Sequence, residues 1–564
     1  MVQAISLPNP SSARSAVNAR RWWILAVMSL TTFMVFLDNT VVNTALPSIS
    51  RDLGASTSTL QWVVDSYTLL LAGLLLVGGS IGDRFGRRRF LTIGMVIFGV
   101  GAAGAAISNS AESLILMRGL QGVGAALVLP ATLSIITDVF PREERAKAIG
   151  IWTGVGAIAI AAGPVFGGFL VDEIAWSAVF WMHIPIVVLA LFGLRIVPES
   201  RDRRALGLDI RGGLLATGGL LAMVFGIIQG NESGWTSTLI LGAFGLGIGL
   251  LAAFAVTEIR SRAPMLPFRF FKQRDFNGAV LIIGLVFFAL MVTFFFLTQF
   301  FQLVQGRSAF TAGLYMLPAA GMMMVGAPIS GVLSRSIGPK ILTTVAGLAM
   351  TFGLLWLTQL SVDSSFVTVA IGIMAFGFGG GMALAPLTDT VMAAVPVNDA
   401  GIGSAVNDVS RELGAALGIA TVGSFVGGLY ERNVESALEG AAPASVVESV
   451  GDGIGVAAVT LPTLPADLAA TVSAAANGAF VDAVTTGMYI SAGFAVVATL
   501  VAAFLMPRKM REMQAEAESV DGQTSGTTLT GTLVPATPRA TTIPALAPVP
   551  VVEPVSYVTR DNVA

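Results

Sequence analysis

Fourteen separate apolar stretches, each long enough to cross a bilayer as a helix, constrain this chain more than any motif in it. They lie near 22–46, 61–80, 90–108, 113–137, 148–170, 177–197, 212–229, 237–257, 277–303, 311–333, 341–358, 366–387, 403–429 and 481–506. A helix rises ~1.5 Å per residue and needs ~20 mostly apolar residues to span the hydrocarbon core, so fourteen crossings use roughly 280 residues. The chain has 564, enough for loops and tails as well. Only 12% of its residues are charged, where a water-soluble domain carries about 25%. The fold class that follows is an all-α polytopic membrane protein.

An even number of spans puts both termini on one side, and the basic residues identify which. Of 32 Lys and Arg, 25 fall in or beside the N-terminal segment, the even-to-odd connections and the region after the last span. Three, Arg51, Arg307 and Arg432, fall on the opposite side, and the remaining four are Arg118 and Arg411 within spans and Arg539 and Arg560 in the tail. The positive-inside rule then makes both termini cytoplasmic, in a bacterial inner membrane. The polar segment 1–21 leads into the first span with no small-residue cleavage site, as an uncleaved span would. Segment 515–564, with repeated Thr, Pro and Val-Pro, reads as disordered. The long external connection 431–480 carries six acidic residues and one basic one. It reads either as short amphipathic helices over the outer mouth or as a disordered, variable loop.

There is no cysteine and a single histidine, which removes disulfides, thiolate chemistry and most catalytic constellations. No phosphate-cradling loop, zinc-spaced histidine cluster or nucleophile elbow is present, so neither an enzyme nor a bound cofactor or metal is expected.

One internal repeat stands out. GSIGDRFGRR at 79–88 and GVLSRSIGPK at 331–340 share the pattern G-x-[IL]-[GS]-x-x-[FI]-G-x-[RK], each after a span that runs inward. Two halves of similar topology are implied, with a midplane site between parallel repeats. The spacing exceeds six spans, so the seventh and eighth are read as an insertion. The expected organisation is a segment 1–21, a six-helix bundle 22–197, two inserted helices within 198–274, a second bundle 275–506 and a tail 507–564.

Charges inside the spans are the strongest functional signal, because an uncompensated charge at the bilayer centre costs at least ~2.5 kcal/mol. Asp38 lies sixteen residues after Trp22, or ~24 Å along a helix, beyond the midplane towards the outside. Asp65 enters the second span about a turn from its outer end, and Arg118 enters the fourth at similar depth. Apolar surroundings and a neighbouring cation pull a carboxylate's proton affinity in opposite directions, which poises it to load and release a proton. Asp38 is the first choice for proton carrier and Asp65 the second, with Arg118 as their cation. The structural alternatives are a static Asp38–Arg118 pair and an interfacial Asp65. In the thirteenth span Asp408, Arg411 and Glu412 share one helix face, either to receive a cationic substrate or as a self-satisfied brace. The aromatic run Phe287 to Phe301 and the thioethers Met322 to Met324 suit a roomy pocket for flat lipophilic ligands, although most of these side chains are expected to face lipid. His183 reads as a structural residue in preference to a proton relay.

In the loop 79–89, Gly82 and Gly86 permit a tight turn, Asp83 is placed to accept from a neighbouring helix N-terminus, and Arg84 and Arg87 lie in the basic interface. That is a latch able to break and reform. In the fifth span Gly163 and Gly167 lie four apart on one face, Gly168 follows, and Pro164 removes a backbone hydrogen bond and bends the helix.

Four segments in order resemble a known family: LDNTVVNTALP at 37–47, the 79–89 loop, Arg118-Gly-Leu-Gln121-Gly-Val-Gly124, and Gly156 through Gly163-Pro164-Val-Phe-Gly167-Gly168. Over roughly residues 20–510 the chain is similar to the major facilitator superfamily, in particular its fourteen-span drug:proton antiporter branch (EmrB/QacA type). The resemblance implies a major facilitator fold and, through the fifth-span motif, antiport in the export direction. It also marks Gln302 as a substrate-facing position and Arg411 as usual in the thirteenth span. Three positions depart from it: Glu412 replaces a neutral amide, His183 an asparagine and Ser177 an arginine. The expected activity is proton-coupled export of lipophilic, cationic drugs by alternating access. Asp38, Asp65, Gln302, Asp408 and Glu412 would contact substrate, and the proton gradient would supply the energy. Small molecules, protons and membrane lipids are the expected partners of a functional monomer, with no nucleic acid. A dedicated exporter of one endogenous metabolite, antibiotic or lipid is the alternative, followed by a non-transporting receptor or scaffold.

Overall fold

A computed structural model describes residues 10–201, 209–261, 264, 266, 268–395 and 400–508. The tail read as disordered lies outside the described residues, as does part of the 198–274 segment. Among the described residues there is no strand, and fourteen helices are long and apolar enough to cross a membrane. This is a multi-pass membrane protein.

The first group of helices is α1 (Pro10–Leu53), α2 (Thr57–Phe85), α3 (Arg87–Ala106), α4 (Ala111–Val139), α5 (Arg142–Glu173), α6 (Ala178–Trp181) and α7 (His183–Gly193). Together α6 and α7 form one crossing, interrupted at Met182, because Pro185 has no N–H to donate to Trp181 four residues back. Next come α8 (Ile210–Ser233) and α9 (Thr238–Arg260). The second group is α10 (Arg274–Gln299), α11 (Ala309–Ile337), α12 (Pro339–Leu357), α13 (Phe366–Ala393), α14 (Ala400–Leu438), α15 (Ala444–Gly451), α16 (Ile454–Thr460) and α17 (Ala466–Leu505).

Within the first group α1 packs on α5 and α4 on α2 and α3; within the second α13 packs on α11 and α12, and α14 on α10 and α17. The groups meet along two antiparallel seams, α5 with α11 and α2 with α14. The α8–α9 pair leans on them through α8, which touches α2 and α14, while α9 is largely exposed.

Serine caps recur at one end of the bundle. At the end bearing the acidic connection, α2, α4, α9, α11 and α13 begin at Ser56, Ser110, Ser237, Ser308 and Ser365, each accepting from the backbone N–H three residues on. Such a cap satisfies one of the donors that a helix leaves open at its start, worth about 1 kcal/mol. At the basic end α3, α5, α10 and α12 start without a side-chain cap, whereas α8 is capped by Asp209, which accepts from the Gly212 N–H (2.7 Å). The repeated motif folds alike in both halves. Gly86 (φ 128°) and Gly338 (φ 90°) each end one crossing and start the next in a backbone region that favours glycine.

Two expectations need correction. Hydropathy ends the thirteenth apolar run at 429 and starts the fourteenth at 481, but α14 continues to Leu438 and α17 starts at Ala466. Helical hydrogen bonding does not stop where lipid does, so polar turns extend both helices beyond the apolar part. The connection between them is helical rather than disordered, with Val450, Ile454 and Ala457 of α15 and α16 buried. The second correction concerns the aromatic run: Phe287, Phe288, Phe294, Phe295, Phe296, Phe300 and Phe301 are all buried and do not face lipid. α10 is enclosed by α13, α14 and α17 and touches α1, so protein surrounds it on most sides.

Candidate functional site

Asp38 of α1 and Arg118 of α4 are both fully buried, and Arg118 Nη1 donates to Asp38 Oδ2 over 2.6 Å. The guanidinium makes further contacts with protein groups. Its Nε donates to the Val63 carbonyl (3.2 Å), its Nη1 also to Gln121 Oε1 (2.9 Å), and its Cζ lies 4.4 Å from the centre of the Tyr67 ring. Gln121, one turn after Arg118, turns its amide N–H to Asp38 Oδ1 at 3.3 Å. His183 of α7 brings Nε2 to 3.6 Å from the same oxygen. A buried pair compensates its desolvation only when further hydrogen bonds satisfy its remaining sites, and this one is so completed.

Sequence reasoning placed Asp65 at the same level and about a turn inside its helix. The structure sets it two turns inside α2, which starts at Thr57, with the side chain fully buried. Arg118 serves Asp38 and not Asp65. The Thr68 hydroxyl beside Asp65 bonds to the Val64 and Asp65 carbonyls, and among the described residues neither Asp65 carboxylate oxygen receives a hydrogen bond.

The acids of α14 divide. Glu412 is buried and accepts from Asn39 Nδ2 (3.2 Å), across the boundary between the two groups of helices. Asn39 is the neighbour of Asp38, so one turn of α1 serves both carboxylates. Asp408 stands 3.5 Å from Arg411, whose guanidinium lies over Phe287 (4.7 Å) and Phe36 (5.5 Å). The three residues therefore do not form a closed triad, because Glu412 takes its partner from α1. Gln302 donates to the Thr44 carbonyl of α1 at 3.0 Å and leaves its own buried Oε1 unpartnered.

In the 79–89 loop Asp83 accepts from Arg87 Nε (2.6 Å), and Arg87 also reaches Asp138 of α4. The carboxylate at the start of α3 is a different one: Glu199 accepts from the Arg88 backbone N–H (3.2 Å) and lies beside Gly86. The loop predicts a helix-capping role for Asp83, which the structure gives to Glu199. Arg84 is exposed, above Phe85. On α5, Gly163 and Gly167 face Thr40, Val41 and Thr44 of α1, whereas Gly168 and Pro164 face α11. A Cβ on Gly168 would lie 2.6 Å from Phe310 Cα, and one on Gly313 2.7 Å from the Pro164 carbonyl carbon. One turn on, Asp172 accepts from the Ala309 and Phe310 backbone N–H groups (2.9 and 2.7 Å) at the start of α11.

Gln121, Asn39, Glu199, Asp138 and Asp172 were not singled out from sequence. The spacing Arg118/Gln121 carries a signal for one of them; the others depend on contacts 51 to 373 residues apart.

Comparison with known proteins agrees with this architecture. The chain is 32% identical over 521 residues to the tetracenomycin C resistance and export protein of Streptomyces glaucescens, covering 91% of this chain and 96% of that one. It is 36% identical over 458 residues to a puromycin resistance protein of Streptomyces alboniger, covering 80% and 90%. To the multidrug efflux pump LfrA of Mycolicibacterium smegmatis it is 35% identical over 503 residues, covering 87% and 97%. Its fold matches a D-xylose–proton symporter with a TM-score of 0.56 at 16% identity, over 86% of this chain and 98% of that one. It also matches an inward-facing bacterial homologue of the lysosomal transporter Spinster, with a TM-score of 0.56 at 19% identity, over 85% and 97%. The family model described as Major Facilitator Superfamily matches residues 28–419, and with two helical groups packed around buried charge this chain belongs to that superfamily.

Proposed function

We propose that the protein is a proton-coupled antiporter that exports lipophilic, cationic compounds by alternating access, with both termini cytoplasmic in a bacterial inner membrane. The observation that carries this reading is the fully buried Asp38–Arg118 pair, hydrogen-bonded also by Gln121 and with His183 Nε2 at 3.6 Å. Charge at that depth is costly and is kept where it does work. A proton on Asp38 would cancel its charge and release Arg118; loss of the proton would restore the pair. Asp65, buried and without a hydrogen-bonded partner, offers a carboxylate to a cationic cargo. Glu412 and Asp408 offer two more from the other half, and Phe36 and Phe287 line the same level through their contacts with Arg411. Alternation would open the α5–α11 seam, where Gly168, Gly313 and Asp172 hold the halves together, while the Asp83–Arg87–Asp138 cluster acts at the basic end.

The decisive experiment is uptake and release of ethidium, a fluorescent lipophilic cation, in proteoliposomes with and without an imposed pH gradient. Wild type should move the dye against its gradient, and Asp38→Asn should lose that movement while inserting at normal level. Unimpaired active transport in Asp38→Asn would sink the coupling assignment.

A second reading, dedicated export of one compound, is favoured by relatives named for single antibiotics, tetracenomycin C and puromycin. Resistance to several unrelated cations on expression separates the broad reading from this one.

A further inference from the structure

His183 is the single histidine of the chain, and its surroundings fix where its hydrogen lies. Nδ1 is 3.3 Å from the Phe180 carbonyl oxygen. A carbonyl only accepts, so Nδ1 carries a hydrogen. The ring is fully buried and set edge-on to Phe98 at 5.5 Å, which holds the opposite nitrogen in place. That nitrogen, Nε2, has no hydrogen-bond partner among the described residues and faces Asp38 Oδ1 at 3.6 Å. Two lone pairs facing each other across a dry gap repel, and one proton between them turns the repulsion into attraction. The charged groups facing the imidazole are Asp38 of α1 and Arg118 of α4; Phe98 and the Phe180 and Val179 backbone beside it are neutral. Arg118 is engaged with the other carboxylate oxygen, Oδ2. The two oxygens of Asp38 are thus divided: Oδ2 faces the Arg118 cation, and Oδ1, which accepts from the Gln121 amide, faces the titratable ring.

We propose that His183 is the proton-holding partner of Asp38, with one proton shared between His183 Nε2 and Asp38 Oδ1. While Arg118 stays on Oδ2, the carboxylate is charged and the proton rests on Nε2, making the ring an imidazolium that points at it. When Arg118 leaves Oδ2, the proton moves from Nε2 to Oδ1, and His183 is left as the neutral ring protonated at Nδ1. The carboxylate is neutralised without water entering the site. This rests on the reading of Asp38 as the coupling carboxylate.

Because no other histidine is present, a sample labelled with ¹⁵N only at histidine, and purified by a histidine-free tag, reports on His183 alone. The expected spectrum shows Nδ1 protonated in every state and an Nε2 resonance that shifts when Asp38 is changed to Asn. Neutral histidine with hydrogen on Nε2 and a bare Nδ1, or an Nε2 resonance indifferent to Asp38→Asn, overturns the proposal. Transport provides a second arm. In His183→Gln the amide can donate to Asp38 as a structural residue would, but it cannot take up a proton. Gradient-driven ethidium transport should fall about ten-fold or more in a folded His183→Gln protein, and transport at wild-type rate and pH profile overturns the assignment. If wild type itself shows no gradient-driven transport, the antiport reading fails, and the ¹⁵N spectrum still decides whether the proton is shared.

Discussion

At Arg118 one side chain holds the Val63 carbonyl, the Asp38 carboxylate and the Gln121 amide, with Tyr67 beneath it. Removing it would strand Asp38 in a dry site. Arg118→Ala should therefore cost about 3–5 kcal/mol, read as a lowered unfolding midpoint of the purified protein. Adding Asp38→Asn to it should recover part of that loss, because the uncompensated charge disappears; strict additivity would show that the pair is not coupled. Arg118→Lys keeps the charge but lacks the planar fork, so it should retain fold better than Arg118→Ala and still lose transport. Asp38 and Arg118 were legible because a charge within an apolar run announces itself. Their partnership with His183 was not. An imidazole in an apolar stretch reads the same whether it packs or titrates, and only the packing of α7 on α1 brings it to Asp38. Asp65 was visible as an acid, but its lack of a partner is a statement about space, not sequence.

Among the elements, α5 shows how small residues set geometry. Its Gly168 lets the backbone of α11 approach so closely that a Cβ would strike Phe310 Cα at 2.6 Å, whereas Gly154, on the same helix, has nothing within 4 Å. Gly168→Ala should cost about 1–3 kcal/mol through overpacking, and Gly154→Ala should be neutral or mildly stabilising. Parallel thermal melts of the two variants check this, and equal effects would mean that the close approach is not maintained in the membrane. The spacing of Gly163, Gly167 and Gly168 told that another helix comes near. It did not tell that two different helices are served, α1 by the first pair and α11 by the third. The glycine turns at Gly86 and Gly338 were legible, since their repeat is written in the chain. The Ser caps were written there too, as a serine just before each of five spans.

For the molecule as a whole, the acidic connection closes one end. The Thr57 N–H at the start of α2 donates to the Asp452 carbonyl at 3.3 Å, and Gly455 of α16 lies against Ser50 of α1. The Asp452 carboxyl is held above its ordinary 3.8 by partial burial and by the neighbouring Glu232 and Glu448. A group whose proton is held more tightly when the connection is docked favours docking at low pH, and that contribution is lost as pH rises above 3.8 through the raised value. The Thr57 amide, corrected for intrinsic exchange, should be better protected at pH about 4.5 than at about 7. Equal protection in hydrogen exchange would remove Asp452 from the closure. Sequence alone determined the number of crossings, the internal repeat and the presence of charge within the spans, because each is a local property of length or composition that a bilayer reads directly. Tertiary structure decided which carboxylate Arg118 takes, that Asn39 joins Glu412 across the halves, and that the phenylalanines of α10 face protein. Those are choices between partners up to 373 residues apart, and only packing brings such partners together.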